Sequence, residues 1–577
     1  MSTFTTRPVL MGTHGMVTST HYLASAAGLQ TLLRGGNAVD AGAAMWFTLT
    51  VLEPWIVGPA GESPILIYVS EEDRVVAVNG QGPAPKAATI EWFKEHGYEL
   101  IPPDGFLPAV VPGALDAWIN AISLYGTMKL GEVMEPAIEL ASEGFPVTSN
   151  FERSIGRLET RFKEEWPSSA EIYLPGGKAP KTGEIFVNHD LARAFKAIAE
   201  AERKELKFGR QAGLEAGRNY FYGGPIAEKI VEFIHKFKCR DTYGREHHGL
   251  LTLEDFVEYR GRIEEPVSVD YRGYRVYKCG PWSQGPVFLQ WLNLLEGFDL
   301  RGMGHNSVQY LHTLIECGKL AYADREEYYA DPDFIEVPLE ILLSKRYAAE
   351  RRGLIDPDHA SMELRPGMAK AKRLEEGRDS GYAFDTVQLD AVDRFGNMLS
   401  ATPSGGWIPT SPVIPGLGFP LGTRGQMFYL DPGHVEKLAP GRRPSTTLTP
   451  SLVMKEDAPY MVFGTPGGDQ QEQWTIQLFL NHIEFGMDLQ EALDAPTVHT
   501  THFPDSFHPH SAHPGEIHVE DRIPAEVRNG LAARGHKVVM SGGWSHGRCL
   551  AIRYDRETGI IYGAASPRTK TPYAMGW

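Results

Sequence analysis

Cysteine is scarce in this chain, with four in 577 residues at positions 239, 279, 317 and 549. That scatter offers neither metal-ligand spacing nor a disulfide framework, so buried thiols in a reducing compartment are expected. Long hydrophobic runs are missing as well. The most apolar early stretch, residues 45–56, is interrupted by Glu53 and Pro54 and is too short to cross a bilayer. The opening residues MSTFTTRPVLMGTHGMV lack a basic start followed by an apolar stretch, so no secretory signal is expected. Positive charge is in deficit, and a net charge of −17 disfavours a nucleic-acid or anionic-membrane surface. The short basic run at 370–373 sits beside Glu375 and Glu376 and reads as solvated surface. No repeat of solenoid period is present. What remains is a composition 42% hydrophobic and 22% charged, the signature of a folded, cytoplasmic globular protein. Its length calls for two or more domains or one large layered unit.

Helical patterns dominate the first part. Residues 24–33 are helix-like and stop at Gly35-Gly36, and Asn37 can cap a helix over 38–52 that ends before Pro54. Residues 65–69 and 75–79 read as a strand pair, and helices follow over 224–235, 307–329 and 339–352. Residues 356–380 are polar without apolar periodicity, which predicts a mobile exposed segment. Strands with Gly/Pro turns take over afterwards.

The stretch AFDTVQLDAVDRFGN at 383–397 marks that change. Val387, Leu389 and Ala391 alternate with Gln388 and Asp390 as in a half-buried strand, 393–397 makes a turn, and 398–402 returns. Thr386 opens the first strand. A second constellation is the strand 460–463, the turn Gly464-Thr465-Pro466-Gly467-Gly468-Asp469 and a helix from about Gln471. Its glycines and helix N-terminus suit an anion, either a phosphate or a developing oxyanion, although a tight structural turn has the same pattern. The P-loop Gly-Lys-Ser/Thr is absent, which weakens the phosphate option. A third stretch, RRPSTTLTP at 442–450, packs hydroxyls between two prolines. The six histidines of 499–518 are broken up by prolines and aromatics, so no metal site is expected there.

Together with GGNAVDAGAA at 35–44, LLTLEDFVEYR at 250–260 and LHTLIECGKLAYADREEYYADPDF at 311–334, these motifs resemble the γ-glutamyltransferase family of N-terminal-nucleophile hydrolases. The resemblance implies an α+β fold, a four-layer αββα sandwich with a helix-rich large-chain portion. It implies a precursor cut between Asp385 and Thr386 into a large subunit, 1–385, ending in the mobile segment 356–385, and a small subunit, 386–577, with both forming one intertwined unit. Thr386 would be the catalytic threonine, Ser404 a neighbouring hydroxyl, and the Gly467 and Gly468 amides the oxyanion donors. No cofactor or metal is implied. A dimer of processed units is a further family-based expectation.

Against the family's donor-binding pattern, its early arginine falls on Gln81, its asparagine on Gly406 and its aspartate on Tyr429, while Gln426, Thr446 and Thr447 remain. Val387 follows the nucleophile position, where the family usually has threonine. Losing the charged partners of a zwitterionic headgroup removes interactions worth a few kcal/mol each. Trp407, Phe428, Tyr429 and Trp544 point to a more apolar acyl pocket, and Arg424 is a candidate partner for a carboxylate. The expected activity is hydrolysis of a small acyl amide whose donor is not glutathione. The alternatives are a genuine γ-glutamyl hydrolase or transferase with a rearranged headgroup site, or an unprocessed, non-catalytic homologue.

Overall fold

The computed structural model describes residues 4–377 and 385–577. Two seven-stranded sheets, each paired antiparallel throughout, lie face to face. One runs in the order Leu10–Gly12, Ile560–Ala565, Leu550–Asp555, Ala458–Gly464, Ser451–Lys455, Tyr274–Lys278, Val267–Tyr271. The other runs Tyr573–Gly576, Gly15–Ser19, Leu389–Asp393, Met398–Ala401, Ile65–Val69, Arg74–Asn79, Arg262–Glu264. Each sheet therefore takes strands from both sides of residue 386.

Side chains of alternating parity divide the packing into layers. Met16, Leu66, Val392 and Met398 meet Leu452, Val462, Leu550 and Ile552 between the sheets. On the outer face of the second sheet, Leu389, Ala391 and Leu399 pack with the helices Tyr22–Leu33, Ala38–Leu52 and Ala114–Tyr125. On the outer face of the first, Val453, Met461 and Phe463 pack with Gly285–Leu295, Val308–Tyr328 and Gln471–Ile483. The result is the αββα sandwich.

Helix Ala38–Leu52 shows how sequence fixes position. Asn37 and Asp40 form a reciprocal capping box, and all fifteen residues are buried. Asp393 at the end of its strand accepts the Ala38 amide at 2.8 Å, tying this helix to the hairpin. Residues 339–352 form two helices instead of one, Leu339–Leu342 and Lys345–Arg352, because Ser344 caps the second. The segment expected to be mobile is partly built in. Leu364 and Gly367 are buried, and the Gly367 amide donates to Asp324 Oδ1 at 2.7 Å. Residues 378–384 of that segment lie outside the described residues.

Strand Leu389–Asp393 is buried on both faces, not one. The polar side chains expected to face water lie between the sheets in a closed network. Gln388 Nε2 donates to Asp390 Oδ1 at 2.8 Å and to Ser400 Oγ at 3.0 Å, and Ser400 and Thr18 hydroxyls also donate to Asp390.

Candidate active site

The chain enters that strand through Thr386, which is 3% exposed. Its Oγ1 donates to Ser404 Oγ at 3.1 Å, and Ser404 Oγ donates to the Asp385 carbonyl at 3.1 Å. Trp407 Nε1 is shared between the Asp385 carbonyl at 3.1 Å and the Ile56 carbonyl at 2.9 Å. Two donors thus converge on one carbonyl oxygen, whose bond to nitrogen is the Asp385–Thr386 peptide. Arg548 holds the other side: its guanidinium pairs with the Asp385 carboxylate and donates to the Thr386 carbonyl at 3.0 Å. The Thr386 amide donates to Asp385 Oδ1 at 2.9 Å.

Ser404 is delivered by a close backbone approach. Its amide and carbonyl both pair with Glu62, and Gly405 follows at φ +77°, where a Cβ would come within 2.3 Å of the Glu62 carboxylate. Only glycine fits there. Glu53, buried at the end of helix Ala38–Leu52, accepts the Thr20 hydroxyl at 2.7 Å. Burial pushes its carboxyl up to about 7, with the field of Arg548 opposing.

The glycine turn lies alongside. A Cβ on Gly464 would meet the Gln388 carboxamide at 2.3 Å, so the turn starts against the strand that carries Thr386. Gly467 has φ +132° and Gly468 φ +56°. Neither amide donates to an acceptor among the described residues. The turn is pinned from below: Arg325 pairs with Asp469, Ser506 donates to the same carboxylate through its amide at 2.7 Å, and Gln284 donates to the Gly468 carbonyl at 3.1 Å.

The residues nominated for substrate binding do not form one pocket. Trp407 and Asp385 line a cavity of about 400 Å³. Tyr429 and Thr446 line a separate cavity of about 40 Å³ beside Arg325 and Glu436. Gln81 belongs to a third, of about 180 Å³, next to Arg443 and Asp331, and both its carboxamide atoms are buried without a partner among the described residues. Thr447 Oγ1 likewise has no partner among the described residues, and Gln426 donates to the Thr423 and Pro103 carbonyls. Arg424 departs from expectation. It is fully buried, pairs with Glu62, and stacks 4.8 Å from the centre of the Trp407 ring, so its charge is already matched. Phe428 packs in a separate core with Phe93 and Leu107, and Trp544 lies half-exposed under Arg522; neither reaches the cavity. Sequence reading missed Arg548 and Glu53, which have no local motif, and helix Ser149–Glu164, whose Arg153, Arg157 and Arg161 line the same cavity as Asp385.

Comparison with known proteins agrees with this architecture. The chain is 34% identical over 576 residues to the acylase ACY 1 proenzyme of Pseudomonas sp. (strain SE83), covering 98% of this chain and 94% of that protein. It is 34% identical over 568 residues to the glutathione hydrolase-like YwrD proenzyme of Bacillus subtilis (strain 168), covering 97% and 98%. Among solved structures, one titled LmbA2991HD superposes with a TM-score of 0.95 at 44% identity over the whole of both chains. Cephalosporin acylase from Bacillus halodurans superposes at 0.86 and 33%, covering 100% of this chain and 98% of that one. The family model described as Gamma-glutamyltranspeptidase matches residues 24–576. The chain belongs to the gamma-glutamyltranspeptidase family and is an enzyme of the N-terminal-nucleophile hydrolase type.

Proposed function

We propose that Thr386 is the nucleophile of a self-processing amidohydrolase whose donor is a small acyl amide other than glutathione. The observation that carries this reading is the hydroxyl of Thr386 one hydrogen bond from Ser404, which with Trp407 points a donor at the Asp385 carbonyl oxygen. In the first reaction Thr386 Oγ adds to the Asp385 carbonyl carbon. The charge that develops on oxygen is met by the Ser404 and Trp407 donors. The C–N bond breaks, the hydroxyl proton ends on the Thr386 nitrogen, and water hydrolyses the resulting ester. Two chains, 1–385 and 386–577, and a free α-amino group result.

That amine, with an ordinary pKa of roughly 7.7–8.0, then serves as base for its own hydroxyl. Oγ attacks a donor amide, the proton passes through the amine to the leaving nitrogen, and water or an amine acceptor cleaves the acyl ester. The Gly467 and Gly468 amides, unsatisfied among the described residues, are the donors for this second oxyanion. Relatives named acylase, glutathione hydrolase-like protein and oxamate amidohydrolase support amide chemistry with a varied donor. Gln81, Gly406 and Tyr429, standing where the family has charged or amide partners, support a donor other than glutathione.

Intact-mass measurement of purified protein tests the reading: two chains are expected, the smaller beginning at Thr386. A γ-glutamyl anilide should be a poorer substrate than simple acyl anilides, and activity confined to it would reverse the donor assignment. The two oxyanion sites are separable. Gly467→Ala places a Cβ 2.3 Å from the Trp474 ring at a strained φ. It should cut itself at the normal rate while kcat falls by about 10²–10³, read from processing time courses and steady-state assays on one preparation.

A further inference from the structure

The cavity beside Asp385 has a positive lining in a protein of negative net charge. The chain carries −17 overall, yet four arginines line this cavity and Asp385 is the one acid among its described lining residues. Arg153, Arg157 and Arg161 come from successive turns of helix Ser149–Glu164. Arg161 is matched by Asp104 and Glu165, whereas Arg157, exposed at the rim, has no ion-pair partner among the described residues. Arg548 is deeper, 8% exposed, and its ion-pair partner is the Asp385 carboxylate. Trp407 supplies an apolar wall.

If Thr386 is the nucleophile, Asp385 is the first acyl group it carries. The ester of the processing reaction joins the Asp385 carbonyl carbon to Thr386 Oγ, the same bond that every later acyl-enzyme contains. A group that holds the Asp385 side chain in that ester is therefore placed to hold the chain of a donor. Once Asp385 has been cut loose and leaves, Arg548 is a buried cation that has lost its partner, a costly state that a donor carboxylate relieves. Glu53 also lies within its field, its carboxyl pushed up by burial, but its hydrogen bond is to the Thr20 hydroxyl and it forms no ion pair with Arg548 among the described residues.

We propose that Arg548 is a specificity-determining residue, selecting acyl donors with a carboxylate two carbons from the reacting carbonyl, the spacing of the Asp385 side chain, as in succinyl amides. The proposal rests on Thr386 as nucleophile. Oγ adds to the donor carbonyl, the amide C–N bond breaks with the proton going to the leaving amine, and water releases succinate and restores the hydroxyl.

Protein whose small chain begins at Thr386 by mass is assayed with succinyl-, glutaryl- and butyryl-p-nitroanilide. The succinyl donor should exceed the butyryl donor in kcat/KM by about ten-fold or more, the worth of a buried charge-assisted hydrogen bond, with the glutaryl donor between them. Arg548→Gln that still processes should bring the ratio close to one, through KM more than kcat. Equal use of butyryl and succinyl donors, or a processed Arg548→Gln that keeps the preference, overturns the proposal and leaves the nucleophile intact. A wild-type chain that stays uncut removes the reading beneath it and is recognised before any donor is added. Should Arg548→Gln fail to process, calorimetry on processed wild type decides. Binding of succinamate with butyramide silent supports the proposal, and equal binding overturns it.

Discussion

Thr386→Ala should purify as a single 577-residue chain under conditions in which the wild type separates completely into two. The alanine has no oxygen to add to the Asp385 carbonyl. Ser404 cannot replace it, because its hydroxyl lies 3.1 Å from the carbonyl oxygen as a donor and is not aimed at the carbon. Thr386→Ser keeps an oxygen and should still cut. The two donors give a graded version of the experiment. Ser404→Ala and Trp407→Phe each remove one hydrogen from the developing oxyanion, and loss of one such donor typically costs about 10²–10³ in rate. Phenylalanine preserves the ring that packs under Arg424, so a slow Trp407→Phe variant with unchanged thermal stability would isolate the N–H. Processing is read from gel time courses after purification. A Thr386→Ala protein cut at the same bond would remove Thr386 from the mechanism.

The parts of this molecule visible in its sequence are those set by local rules. Helix Ala38–Leu52 is legible because Asn37 caps it and Pro54 stops it, and the Asp393–Asn397 turn because Gly396 takes φ +87°. The four layers came through family motifs, not periodicity. Gln388 and Asp390 show why: a period-2 polar pattern reads the same whether it faces water or a buried hydrogen-bond network, and only the second sheet decides. Partnerships across the fold were invisible for a similar reason. Arg548 meets Thr386 only because strand Leu550–Asp555 pairs beside Ala458–Gly464, 162 residues downstream. Arg424 looked available because nothing near it in sequence announces Glu62. The spacing of Arg153, Arg157 and Arg161 does announce a helix face, but not the cavity it borders.

Asp390→Asn should change stability in a pH-dependent direction that no surface substitution would mimic. Asp390 is fully buried, and burial pushes its carboxyl from 3.8 to about 7 against the pull of the Ser400, Thr18 and Gln388 donors. A carboxyl raised in the fold contributes its full stability below the unfolded value and loses it as pH climbs through the folded one. At 1.36 kcal/mol per pH unit, the wild type should therefore lose roughly 3 kcal/mol relative to the asparagine variant between pH 5 and pH 8. Asparagine copies the protonated acid: Oδ1 keeps Gln388 and Ser400, and Nδ2 donates to the Thr18 hydroxyl, which accepts as readily as it donates. The variant should match the wild type below about pH 4, where the acid is protonated folded and unfolded, and exceed it by a margin that grows up to pH 8. Denaturant unfolding of both forms in the Thr386→Ala background keeps the chain continuous, so one transition is compared with one. A difference that stays constant across that pH range would mean that Asp390 is already ionised at pH 5 and that its network is held together by charge.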